Sequence, residues 1–132
     1  ELRKDEQALL KLFQDQGITF IVLAGYLRLI PKAIVDAYPK RIINLHPALL
    51  PKFGGKGMHG MHVHEAVAEA RETETGITIH YVNERYDEGD IIAQFKVALE
   101  KSDSPQRIAE KIAKLEAVHF PEVVEKTILQ VQ

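Results

Sequence analysis

Two nearly continuous apolar runs constrain most strongly what this chain can fold into. Residues 18–25 and 41–46 are mostly apolar and rich in β-branched side chains, a pattern that suits parallel strands covered on both faces. A segment with helical spacing precedes the first run and ends at Gly17, and a second helical segment begins at Pro31 and ends at Pro39. Because helices alternate with buried strands, the sequence predicts a doubly wound α/β sheet.

The second half of the chain continues this alternation. Val63 begins a helical face with apolar residues at i, i+3, i+4 and i+7. Residues 76–82 alternate as a strand does. Only a short turn separates them from the apolar residues 91–99, so these two strands could pair antiparallel. A Ser-Pro pair at 104–105 starts a final helix, which Pro121 should bend or break.

The composition limits the classes of function. The chain has 132 residues, of which 45% are hydrophobic and 27% charged, so we expect residues 1–132 to form one α/β domain with a mostly parallel sheet. The net charge of −2 provides no basic field for nucleic acid, and the absence of cysteine excludes disulfides and thiolate metal sites. The longest apolar run, residues 18–30, is too interrupted to span a membrane. With no signal-peptide pattern, we expect a cytoplasmic protein of undetermined oligomeric state.

Asn44 and His46 are polar residues at the end of an apolar strand. Because they are two residues apart, their side chains point to the same side, at the carboxyl end of a strand where open α/β sheets bind ligands. An amide and a protonated imidazole are hydrogen-bond donors, and donors aimed at a carbonyl oxygen stabilise an oxyanion. The pair alone supports equally the alternative that both side chains bond to nearby backbone.

Asp87 lies in an Asp-Glu-Gly turn that follows a strand carrying His80. Such turns most often only close a loop, because Asp bonds its own backbone there. Considered together with His46, however, Asp87 allows an Asp–His pair. Its carboxylate would raise the pKa of the histidine and hold the ring charged.

The segment after this strand is rich in histidine and glycine. The spacing of His59, His62 and His64 fits no metal motif, and Lys56 is followed by glycine, not by the Ser or Thr of a phosphate-binding loop. Hydrogen bonding within a loop, and a lid or substrate loop, are therefore favoured over a metal site and a phosphate cradle. Arg28 follows the first strand and could border an aromatic-ligand pocket, although an arginine extending over the core edge is the simpler interpretation.

Four segments together resemble one family. Residues 44–51, Asn-Leu-His-Pro-Ala-Leu-Leu-Pro, resemble the Asn-x-His-Pro-x-Leu-Leu-Pro motif of glycinamide ribonucleotide formyltransferases. Residues 23–30 resemble the folate-pocket segment that precedes this motif. Residues 76–89 resemble the segment that brings in a catalytic aspartate, and residues 115–121 resemble the last helix of the family. The resemblance covers essentially the whole chain, with the motifs in the family's order.

The resemblance implies a Rossmann-like formyltransferase fold and the transfer of a formyl group from 10-formyltetrahydrofolate to the amine of glycinamide ribonucleotide, a step of purine biosynthesis that needs no metal. Asn44, His46 and Asp87 match the catalytic residues, with His80 close to them. The folate-binding residues would be Leu27, Arg28, Leu29, Ile30, Asn44, Asn83, Glu84, Arg85, Tyr86 and Asp87. The residues that contact the ribonucleotide would be Ala113, Lys114, Leu115 and Glu116.

Two departures from the family are visible. The loop over residues 53–61 is longer and richer in glycine than in the commonest members. The family's leading strand–helix units, with a glycine-rich loop that binds the ribose phosphate, have no counterpart here. The chain is therefore expected to be the C-terminal portion of the domain.

Three other functions are alternatives. Formyltetrahydrofolate hydrolases usually have Ser-Phe after the catalytic histidine, where this chain has Pro47-Ala48-Leu49. Methionyl-tRNA formyltransferases carry a further basic domain. A folate-binding fragment without catalysis is a possibility of a different class.

Overall fold

A computed structural model describes residues 4–25 and 28–131 of the chain. Its strands form one sheet in the order β1-β2-β3-β4, which is also their order in the sequence. The elements are α1 (Lys4–Asp15), β1 (Ile21–Ala24), α2 (Lys32–Ala37), β2 (Ile42–His46), α3 (Met61–Glu69), β3 (Glu74–Tyr81), β4 (Ile91–Ala98) and α4 (Pro105–Gln130). The predicted order of helices and strands is confirmed.

The α/β class is confirmed, but the sheet is mixed and not mostly parallel within the described residues. β1 pairs parallel with β2, whereas β2–β3 and β3–β4 are antiparallel. A parallel crossover must return the chain to the start of the preceding strand. Here the segment after β2 stays at the carboxyl end of β2, where β3 begins and runs back with Thr78 opposite His46.

Successive residues of β2 serve the two faces of the sheet, as a strand requires. Ile42 packs with Ile34 and Tyr38 under α1 and α2. Ile43 packs with Ile79 and Val123 of α4 on the opposite face, where α3 and α4 also cover Ile77. Helices therefore cover both faces, as the doubly wound prediction requires.

Two local predictions differ from the structure. β1 is shorter than the predicted strand, and its Val22 side chain is 40% exposed because α3 and α4 lie over the later strands. The helix α4 is not broken at Pro121. Proline removes one backbone donor, and the carbonyl left without that donor belongs to Ala117, which is exposed and can be hydrated.

Candidate active site

The carboxyl half of β2 places Asn44 and His46 on one face of the sheet, as predicted. Their partners across the β2–β3 pair are His80 and Thr78, so four polar side chains share this patch. The same face is apolar one step earlier, at Ile42. The face therefore changes from core to site within three residues of one strand.

Thr78 fixes the chain that leaves this patch. Its hydroxyl donates to the carbonyl of Ala48 at 2.7 Å and accepts the backbone N–H of Leu50 at 3.0 Å. The side-chain amide of Gln94 donates to both Thr78 Oγ1 and the Leu50 carbonyl. All these groups are buried or partly buried, so the exit from His46 is held rigidly.

Asp87 reaches the same patch from the turn between β3 and β4. Its backbone adopts a left-handed φ of 53°, and Gly89 lies so close to the Tyr81 carbonyl that a Cβ there would collide with it. The carboxylate Oδ1 lies 3.5 Å from His46 Nδ1 and 3.6 Å from His80 Nε2, and Oδ2 accepts the Gly55 N–H at 3.0 Å. The predicted proximity of Asp87 and His46 is confirmed.

His46 is 3% exposed, and Nε2–H donates to the Phe53 carbonyl at 2.7 Å. Burial lowers the pKa of His46 below its ordinary value of 6.5, and the nearby His80 lowers it further, although Asp87 and the Phe53 carbonyl act to raise it. The prediction of a charged His46 is therefore wrong for the protein without substrates. Asp87 acts in the expected direction, but desolvation outweighs it.

The pKa of Asp87 is lowered despite its burial. Desolvation acts to raise it, but the His80 ring, the His46 ring and the Gly55 N–H together outweigh that effect. The carboxylate is therefore charged at neutral pH. A charged Asp87 beside a neutral His46 is the resting state of this group.

His80 orients Asn44. His80 Nδ1 lies 2.9 Å from the Tyr81 carbonyl, to which it can donate. In the neutral ring Nε2 then accepts from Asn44 Nδ2, which lies 3.2 Å away. This contact fixes the Asn44 amide and leaves its second N–H and its oxygen for a ligand.

These side chains open onto a cavity of about 360 Å³ at the carboxyl ends of β1 and β2. Asn44, His46 and Asp87 line one side of it, and His64 and Glu116 line it from α3 and α4. Ala109 and Ile112 of α4 also line it. The sequence interpretation missed these two, although the helical spacing back from Glu116 would have found them.

The predicted ribonucleotide stretch is mostly not at this cavity. Glu116 lines it, whereas Ala113 and Lys114 are exposed and Leu115 packs against the core. A helix presents one residue in three or four to any one side, so a contiguous stretch overstates the contact. Burial raises the pKa of Glu116 above its ordinary value of 4.5.

The predicted folate walls border a second, smaller cavity of about 40 Å³ that shares Asn44 and Asp87 with the first. Most of the predicted residues line it: Arg28, Leu29, Ile30, Asn83, Arg85 and Tyr86. Glu84 lies outside it, on the exposed outer side of the turn. Leu27 lies outside the described residues.

The histidine-rich and glycine-rich segment lies beside the large cavity. His59 and His62 meet edge to face with ring centroids 5.6 Å apart, and in the described residues no three His, Asp or Glu side chains are grouped to hold a metal ion. Gly55 and Gly57 of the glycine-rich loop have left-handed φ values and border the large cavity. Of the helices in the described part, none combines the length and apolarity needed to cross a membrane.

The chain carries an Asn–His–Asp group at the carboxyl ends of its strands, where α/β sheets of this class bind small molecules. The group borders two cavities that share Asn44 and Asp87 as lining residues. The sequence of residues 1–124 matches the formyl transferase family. The chain belongs to this family. The recognised fold is therefore that of the formyltransferases.

The chain is similar to several proteins named phosphoribosylglycinamide formyltransferase. The chain is 48% identical over 116 residues to the chloroplastic phosphoribosylglycinamide formyltransferase of Arabidopsis thaliana, covering 88% of this chain and 40% of the relative. It is 38% identical to the Bacillus subtilis phosphoribosylglycinamide formyltransferase, covering 93% and 60%. The crystal structure of the Bacillus halodurans enzyme of that name superposes with a TM-score of 0.85 at 37% identity, over 96% of this chain and 63% of that one. The chain thus spans less than two thirds of each of these relatives.

Proposed function

We propose that this chain is the catalytic part of a phosphoribosylglycinamide formyltransferase that transfers the formyl group of 10-formyltetrahydrofolate to the amine of glycinamide ribonucleotide. The observation that carries the proposal is the convergence of Asn44, His46 and Asp87 on one cavity, where Asn44 and Asp87 also line the second. The names of the relatives support it. The smaller cavity, with Arg28 and Tyr86, is assigned to the folate, and the larger one to the ribonucleotide.

In this reaction the amine attacks the formyl carbon, a C–N bond forms, and the bond between that carbon and N10 of the folate breaks. After the C–N bond has formed and before the bond to N10 breaks, negative charge develops on the formyl oxygen. The free N–H of Asn44 and the Nε2–H of His46 are the donors for that oxygen, and one such donor is typically worth about 3–4 kcal/mol of barrier. Because Nε2–H is bonded to the Phe53 carbonyl at rest, the loop after Pro51 must release it.

Asp87 has two roles in the proposal. As negative charge develops on the formyl oxygen, the Asp87 carboxylate favours the uptake of a solvent proton by His46 and holds the ring in place. Asp87 also accepts, through water, the proton that the attacking amine loses, and this proton passes through water to N10 as N10 leaves. No metal enters this mechanism.

The experiment is an assay of the natural gene product that carries this chain. Consumption of 10-formyltetrahydrofolate is followed with and without glycinamide ribonucleotide, with the Asn44→Ala protein as the control for background hydrolysis. We expect consumption only when the ribonucleotide is present. Consumption that proceeds equally without it would identify a hydrolase, and the absence of any turnover would overturn the proposal.

We also propose that full activity needs regions that the longer relatives have and residues 1–132 do not include. Within the described residues the outer edge of β1 has no strand partner, and Val22 is exposed beside it. Exposed edges and apolar residues favour association. We therefore expect residues 1–132 expressed alone to self-associate and to turn over their substrates poorly.

A cytoplasmic location is a further proposal, because two of the relatives are chloroplastic.

A further inference from the structure

Gln94 is a polar residue of β4 that the proposed mechanism does not use. It lies opposite Thr78 on β3, and Thr78 in turn lies opposite His46 on β2. Residues that face one another across antiparallel strands point to the same side of the sheet. The three side chains therefore form one row across the sheet, with His46 at one end and Gln94 at the other.

Two acceptors hold the amide of Gln94. Its Nε2 lies 2.9 Å from the Leu50 carbonyl and 3.0 Å from Thr78 Oγ1. A carbonyl oxygen can only accept, so the amide atom that faces Leu50 is the nitrogen. Thr78 donates its own proton to the Ala48 carbonyl, and its oxygen accepts from both Gln94 and the Leu50 N–H. Both N–H groups of Gln94 are thus used to hold the segment that follows His46.

Leu50 carries this constraint to the loop that contacts the candidate catalytic groups. Leu50 is 5% exposed, and its Cδ2 lies 2.6 Å from the position that a Cβ on Gly54 would occupy. The backbone on either side of Gly54 bonds to His46 at 2.7 Å and to Asp87 at 3.0 Å. A displacement of Leu50 would therefore move the backbone groups that hold both side chains.

We propose that Gln94 is a positioning residue for His46 and Asp87. Its amide fixes Leu50, and Leu50 fixes residues 53–55, which bond both side chains. Gln94 itself borders a different cavity, of about 450 Å³, so it acts through the loop and not on the substrates. The release of His46 during the reaction then needs only one carbonyl of the loop to turn, while Leu50 stays anchored. The inference rests on the proposed function for its effect on turnover, but not for its effect on the two hydrogen bonds.

The test uses two substitutions of Gln94, made in the natural gene product. Gln94→Met keeps the length of the side chain and removes both donors. Gln94→Glu keeps its shape and polarity but has no donor at neutral pH. Lys96→Met is the matched control, because Lys96 lies on the same strand and the same face and pairs with the exposed Glu74. Much of Gln94 is exposed, so we expect both variants to fold.

Hydrogen exchange measured by NMR reports the two bonds without turnover. We expect the Gly55 amide and the His46 Nε2–H to exchange with water about tenfold faster in both Gln94 variants, the effect of about one lost hydrogen bond. The Val82 amide, which donates to the neighbouring strand, should be unchanged, and Lys96→Met should match wild type at all three. Unchanged exchange at Gly55 and His46 would overturn the inference. A parallel rise at Val82 would also overturn it, since it would indicate a general loss of stability.

Turnover shows whether these bonds matter for the reaction. We expect kcat to fall about tenfold in both Gln94 variants, because a displaced loop misplaces the groups that act on the reacting atoms. Both KM values should change less than about twofold, and Lys96→Met should keep the wild-type kcat. An unchanged or raised kcat, or a loss that lies mainly in KM, would overturn the positioning role.

Failure of the proposed function remains distinguishable, because the exchange experiment needs no substrate. A wild type without turnover whose Gln94 variants show the expected exchange pattern would refute the function and support the control of His46 and Asp87 by Gln94. An active wild type whose Gln94 variants exchange and turn over as it does would refute only the inference. A wild type without turnover whose variants exchange as it does would refute both.

Discussion

The two sides of the large cavity differ in how their polar groups are satisfied. On the strand side, Asp87 contacts His46, His80 and the Gly55 N–H, and Asn44 is held by His80. On the helix side, His64 Nδ1 has no hydrogen-bond partner among residues 4–25 and 28–131, and over the same residues Glu116 is in no ion pair. Both sides are partly or fully buried, so burial does not explain the difference.

The strand-side groups are held in one geometry by their neighbours, whereas the helix-side groups can still form hydrogen bonds with a ligand. Stabilisation of developing charge is favoured by donors that are already oriented, as His80 orients the Asn44 amide, because reorientation during the reaction costs energy. Binding of a neutral hydroxyl group can instead leave protein groups unpaired until the ligand arrives. Substitutions on the strand side should therefore affect kcat, and those on the helix side KM.

The largest expected effect is that of Asp87→Asn, which keeps the size of the side chain and removes its charge. We expect kcat to fall by about 10²–10⁴-fold, the range of general acid–base catalysis. The pKa of His46 should fall further, because the one carboxylate that raises it is gone. Turnover assays and ring-proton NMR of His46 measure the two effects. Asp90→Asn, an exposed carboxylate of the same turn, is the control, and an unchanged His46 titration would show that the pair does not interact.

Asn44→Ala should be next in size. It removes one donor from the developing oxyanion, so we expect kcat to fall by about 10²–10³-fold, with folate affinity changed much less. Steady-state kinetics and equilibrium binding of a folate analogue would separate the two. If affinity falls as much as kcat/KM, Asn44 is a binding residue and the assigned role is wrong.

The sequence predicted the strand side better than the helix side, for a physical reason. Alternation along a strand places Asn44 and His46 on one side, and the end of that strand is where ligands bind in such sheets. The hydrogen bond between His46 and the Phe53 carbonyl depends on the path of the loop after Pro51, and no local sequence pattern specifies that path. The direction of β3 likewise depends on where the chain re-enters the sheet, and Ile112 reaches the cavity only because α3 and α4 pack together.

Gly54→Ala tests the contact between the loop and Asp87. A Cβ at this position would lie 2.6 Å from Leu50 Cδ2 and 3.2 Å from Asp87 Cβ, so the loop or the carboxylate must shift. Overpacking of this kind costs about 1–3 kcal/mol, and displacement of Asp87 should lower kcat by about tenfold. Urea unfolding and turnover assays check both. A variant as stable and active as wild type would show that the Asp87–Gly55 bond is not needed.

The smallest expected effect concerns stability and pH, and it compares one histidine from each side. The pKa values of His46 and His64 are both lowered in the folded protein, so the unfolded chain takes up protons first as the pH falls through 6.5. The free energy of unfolding should therefore decrease from pH 7.5 to pH 5.5, by at most about 1.4 kcal/mol per pH unit for each histidine. Glu116 acts in the opposite direction, because its raised pKa means that the folded protein binds its proton first.

The contribution of Glu116 cancels when the free energies of unfolding of two variants are compared at the same pH, because both variants contain Glu116. His64→Gln and His46→Gln should each show a smaller decrease than wild type in urea titrations at pH 7.5, 6.5 and 5.5, since each lacks one of the two groups. His62→Gln is the matched control, since this ring lies on the same helix and is mostly exposed in the folded protein. Parallel curves for wild type and His64→Gln without ligand would mean that His64 titrates as it does in the unfolded chain, and the contrast between the paired and unpaired sides would then be lost.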